Sequence, residues 1–75
     1  MQQDVEEYMA NLLISGFSRE RVVEMGYEYA MALQTDKQAV GSNYIPASFM
    51  AIAASTVKDA LSGAYRIKEL RQRMR

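Results

Sequence analysis

Among the side chains able to do chemistry, this 75-residue chain holds carboxylates, Tyr, Ser and Lys, but no Cys and no His. Thiolate and imidazole nucleophiles, the usual general base near neutral pH and the common N/S zinc site are therefore excluded. The groups that remain sit in no arrangement that would activate them. Glu6 and Glu7 read as charge at a helix start, and Glu20, Glu24 and Glu28, at steps of four, read as one solvated helix edge. Asp36, Gly41 and Asn43 are too scattered for a calcium loop, and no glycine-rich phosphate motif occurs. The residues point to no catalytic, metal or cofactor site, and the expected protein is not an enzyme. No motif in the chain resembles that of a known family.

Two patterns point to binding instead. The balance of 9 basic and 9 acidic residues conceals unlike ends. Met1 to Glu28 carries Asp4, Glu6, Glu7, Glu20, Glu24 and Glu28 against Arg19 and Arg21, whereas Ala64 to Arg75 carries Arg66, Lys68, Arg71, Arg73 and Arg75 against Glu69. Clustered cations displace counterions from phosphates, so these five are candidate nucleic-acid contacts. The same cations also suit the negative end of a helix dipole, or the acidic strip of the second helix within the chain or across a dimer. Between them Ile67, Leu70 and Met74 form a narrow apolar stripe, making a basic amphipathic helix suited to a partner's groove, to a short coiled coil or to continuing the core. That helix lacks the Trp or additional Phe of a membrane-surface segment.

The second pattern is six Met and five Tyr with no Trp. Such adaptable and amphipathic side chains fill cores and also line protein interfaces. Tyr27 and Met31, on the side of the second helix away from Val22 and Leu33, join Ile67, Leu70 and Met74 as candidate partner contacts. A helix-turn-helix reading fails on charge, because the second helix would offer Glu20, Glu24 and Glu28 to phosphates.

These residues must be positioned by helices. With 49% hydrophobic and 24% charged residues, four Gly and one Pro, the composition favours one all-α domain over residues 1–75 with a few long elements. Val5, Tyr8, Met9, Leu12 and Leu13 share one helical face, which predicts a first helix from Asp4 to Ser15. Asp4 is its expected N-cap with Glu7 completing an acidic capping box, and Gly16 with Phe17 its expected Schellman end. Ser18 caps a second helix from about Arg19 to Gln34, with Phe17 placed to staple against Val22. Its apolar residues cover well over half the circumference, so it should be covered on two sides. Thr35 to Ile45 reads as a loop closed by Pro46. From Ala47 a third helix, long or kinked near Gly63, runs nearly to Arg75, with its end at 64–75 free to project.

The expected fold is thus a small bundle of three helices: a helix-turn-helix hairpin, a loop and a long C-terminal helix. The small residues of Ala47 to Ala64 suit either tight packing inside the bundle or a crossing of two copies, and a domain this small often needs oligomerisation. The uncharged run Gln38 to Val57 is interrupted and too short in its apolar part to span a bilayer, and Met1-Gln2-Gln3-Asp4 lacks the basic start of a signal peptide. The absence of Cys is compatible with a reducing cytoplasm. The sequence leads to a cytoplasmic regulatory module that binds a partner protein as a homodimer, with nucleic-acid binding through the basic end as the alternative.

Overall fold

Apolar residues recurring at three- and four-residue steps share a face only in an α-helix. In the computed structural model, which describes residues 1–37 and 47–74, the chain forms three of them: α1 (Gln2–Ile14), α2 (Arg19–Lys37) and α3 (Ala47–Arg73). No strand occurs among the described residues. The all-α class and the three-helix bundle expected from the sequence are those observed.

The α1–α2 turn closes as the residues dictate. Gly16 adopts φ +100°, which a residue with a Cβ rarely takes. Its N–H donates to the Leu13 carbonyl at 3.1 Å, and the Phe17 N–H donates to the Leu12 carbonyl at 3.2 Å. These two bonds define a Schellman motif. Ser18 Oγ then accepts from the Arg21 N–H at 3.2 Å and caps α2. Phe17, between the two helix ends, remains 43% exposed.

Two boundaries differ from expectation. α1 starts at Gln2 with Met1 at the cap position and no side-chain cap bond, so Asp4 lies in the first turn and is not the N-cap. The Val5 N–H donates to the Met1 carbonyl at 3.2 Å, and two glutamines with good helix propensity carry the helix upstream. A carboxylate at Asp4 still faces the positive end of the dipole. α2 extends through Thr35 to Lys37, where a loop was expected, and the Thr35 hydroxyl donates back to the Met31 carbonyl at 2.9 Å. The expected turn around Gly41 to Asn43, and Pro46, lie outside the described residues.

α3 is unbroken at Gly63. Its 27 residues, at 1.5 Å each, account for most of the 45 Å long axis of the molecule. Near the end of α2, Gln34 Nε2 donates to the Phe49 carbonyl at 3.1 Å near the start of α3, while Val23 and Tyr27 lie beside Val57 and Leu61. α2 is therefore antiparallel to α3. Glu6 rests on Gly63, and Glu7 and Asn11 reach Arg71, so α1 follows the direction of α3 along its C-terminal half.

The core between them consists of Val5, Met9, Ala10, Leu13, Val22, Ala30, Ala53, Val57, Ala60 and Ala64. Val22, Gly26, Ala30 and Gln34 bury the centre of α2, while Tyr29 stacks on Tyr8 of α1 with ring centroids 4.3 Å apart and Tyr27 faces α3. α2 is covered on two sides, as its broad apolar arc requires. Met9 is the largest fully buried side chain, and burying one of its size stabilises the fold by about 1.5–3 kcal/mol. It fits because Gly26 has no side chain: a Cβ there would stand 2.8 Å from Met9 Sδ.

The two helical glycines should therefore respond differently to alanine. Gly26→Ala drives a carbon into a buried sulfur with no room to move, and should cost about 1–3 kcal/mol. At Gly63 the new Cβ would meet the Glu6 carboxyl at 2.5 Å, but that group ends a flexible, half-buried side chain. Gly63→Ala should be neutral or stabilise by up to about 1 kcal/mol through helix propensity. Urea unfolding followed by circular dichroism separates the two; equal losses would contradict the packing described.

Candidate functional site

Met50, Ala54, Val57, Leu61 and Tyr65 recur along α3 at steps of four and three, so they form one seam of the helix. Only Val57 of the five is buried; Leu61 is half-buried, and Met50, Ala54 and Tyr65 are exposed. The seam faces outward beside α2. Between the two helices lies an open groove of about 300 Å³ lined by Val23, Tyr27, Ala54, Val57, Lys58 and Leu61.

Its rims differ in charge. On α2, Glu20 and Glu24 are exposed on the turns flanking Val23 and Tyr27. On α3, Lys58 contributes to the wall yet is exposed, in the manner of a lysine whose stem covers apolar surface while its ammonium stays wet. Among the described residues Lys58 and Glu20 have no ion-pair partner, whereas Glu24 pairs with Arg21 of its own helix.

The partner contacts expected from the sequence do not gather in one place. Tyr27 lines the groove, and Met31, one turn further along α2, is half-buried against the core. Ile67 is also packed on the core, whereas Leu70 is 51% and Met74 84% exposed near the far end of α3. The stripe Ile67, Leu70 and Met74 is therefore divided between core and surface. Lys58 and the outward seam of α3 were missed. The signal for them was the recurrence of Met50, Ala54, Val57, Leu61 and Tyr65, masked by small residues on every other face of the same helix.

The basic end is partly neutralised within the chain. Arg71 donates to Glu7 Oε1 at 2.7 Å and to Asn11 Oδ1 at 2.6 Å, both on α1, and Arg73 pairs with Glu69 at 2.7 Å. Glu7 thus serves the other end of the chain and not a capping box. The acidic partner of the tail is α1, because α1 runs alongside it while the strip on α2 faces away. Arg66 is exposed and Lys68 half-buried, with no ion-pair partner among the described residues; Arg75 lies outside them. Among the described residues no helix is long and apolar enough to cross a membrane, and no three acidic side chains converge on a metal site.

No protein-family model matches the sequence, and comparison with curated proteins and with solved structures returns no match.

Both members of the Arg71–Glu7 pair are well exposed, at 42% and 62%, so water and salt screen it. Arg71→Ala should lower stability by only about 0.5 kcal/mol at low ionic strength, and the difference should vanish in high salt. Urea midpoints at the two salt concentrations measure it; a large, salt-independent loss would place Arg71 in the packing and not in a surface pair.

Proposed function

We propose that this protein is a non-enzymatic interaction module that binds a partner protein in the groove between α2 and α3. The observation that carries this reading is the groove itself, an apolar channel open along α2 and α3 among the described residues. Its walls of Val23, Tyr27, Ala54, Val57 and Leu61 suit the apolar stripe of a helix, and its charged rims supply orientation. A tyrosine in the wall adds a rigid ring with a polar end, a combination enriched where protein surfaces meet.

The competing nucleic-acid reading has less to draw on. Arg71 and Arg73 already have carboxylate partners, and Glu7 and Glu69 bring negative charge to the same end of α3. The proposed setting is the cytoplasm, in keeping with a chain that relies on no disulfide.

A photoreactive benzoylphenylalanine at Tyr27, compared with one at exposed Asp59 on the other side of α3, tests the reading in the producing cell. The expected result is a discrete adduct with one protein identified by peptide mass mapping, formed from Tyr27 and not from Asp59, and lost when Leu61→Glu is added. Equal labelling from both positions, or adducts with nucleic acid alone, would overturn it.

A further inference from the structure

We infer that the occupant of the α2–α3 groove is a second copy of this chain, related by a two-fold axis parallel to the helices so that α2 of each copy lies against α3 of the other. The inference rests on the reading of the groove as a docking surface and names its partner. Charge complementarity carries it. One rim of the groove is acidic, with Glu20 and Glu24 on α2, the pair of Glu24 with Arg21 being solvent-exposed and open to exchange, and the other carries Lys58 on α3. A surface with acid on one side and base on the other complements itself when a two-fold axis exchanges the sides.

The register within one chain fixes which residues meet. Gln34 is level with Phe49, and Val23 and Tyr27 are level with Leu61 and Val57, so Glu24 stands about one helical turn or less from the height of Lys58. An axis along the helices preserves these heights and sets Glu24 of one copy opposite Lys58 of the other, twice. An axis across the helices would instead lay each helix on its own counterpart, bringing the acidic rims of the two copies together. Like charges placed opposite one another suppress that arrangement.

The apolar residues between the rims agree. Met50, Ala54, Leu61 and Tyr65 on α3 and Val23, Tyr27 and Met31 on α2 are exposed or only half-buried. Facing a second copy they complete a four-helix layer in which every neighbouring pair is antiparallel. One face of a body measuring 45 × 20 × 18 Å is commensurate with the roughly 800 Å² per partner that stable interfaces bury. In this arrangement both α3 C-termini, with Leu70 and Met74 exposed, point the same way.

Sedimentation equilibrium of the full chain and of two charge-reversed forms, Lys58→Glu and Glu20→Lys/Glu24→Lys, tests the inference. All three substitutions fall at exposed positions, and circular dichroism with thermal melts establishes that each chain is folded. The wild type is expected to reach twice the chain mass by roughly 100 µM, since dimer populations rise with protein concentration. Each reversed form alone should dimerise at least about tenfold more weakly, and an equimolar mixture of the two should recover the dimer as a heterodimer, because opposite charges again face each other. A wild type that stays monomeric throughout overturns the second copy as occupant. A dimer indifferent to both reversals overturns it as well, since the contact would lie on another face. If a monomeric wild type still gives a single heterologous adduct from Tyr27, the groove remains a docking surface and only its proposed occupant fails.

Discussion

Close approach of three helices over very small side chains is the constraint from which the remaining structure follows. α3 meets its neighbours through Ala53, Ala60 and Ala64, with Val57 as the one larger residue in that row, and α2 contributes Ala30 and Gly26. Alanine and glycine let helix backbones draw together but remove little apolar area from water. Met9, the largest fully buried side chain, needs the missing side chain of Gly26 to fit. A bundle built this way has a narrow core, and its larger apolar residues, Met50, Ile52, Tyr65 and Leu70 among them, remain substantially exposed. Small single-core domains are marginal on these terms. Apolar surface left over by the thin core lines the open α2–α3 groove.

Local chemistry made the hairpin readable. Gly16 and Ser18 are residues whose backbone and side-chain preferences act within a few positions, so the Schellman closure and the cap on α2 could be inferred without knowing what packs where. Asp4 misled because its preference for capping competes with the helix propensity of the residues before it, and one more turn of helix won. Thr35 lies in α2, its hydroxyl bonded to the Met31 carbonyl, and Gln34 just before it is held by a bond to Phe49 of α3. That second contact spans 15 positions, beyond any local pattern.

The outward seam of α3 was harder to read because it depends on which side of the helix turns inward. Ala51, Ala53, Ala54, Ala60 and Ala64 are chemically alike, yet Ala53, Ala60 and Ala64 are buried whereas Ala51 and Ala54 face out. Only the packing register distinguishes them. The acidic edge of α2 fixes its orientation and places Tyr27 in the groove wall, whereas only the packing shows that Ile67 continues the core side of α3. The partner of Arg71 was hidden for the same reason: Glu7 is 64 positions away, and only the parallel run of α1 along α3 brings the two together.

Whether the chain's own helices leave the α2–α3 groove open is read out by methyl NMR with a soluble paramagnetic agent. Ala53 and Ala54 are adjacent, one buried and the other exposed, and Leu61 lies in the groove wall. At the lowest protein concentration an open groove gives strong broadening of the Ala54 and Leu61 methyls and little at Ala53 and Ala60. Protection of Ala54 and Leu61 equal to that of Ala53 in the dilute monomer would contradict it, because the groove would then already be filled by the chain itself.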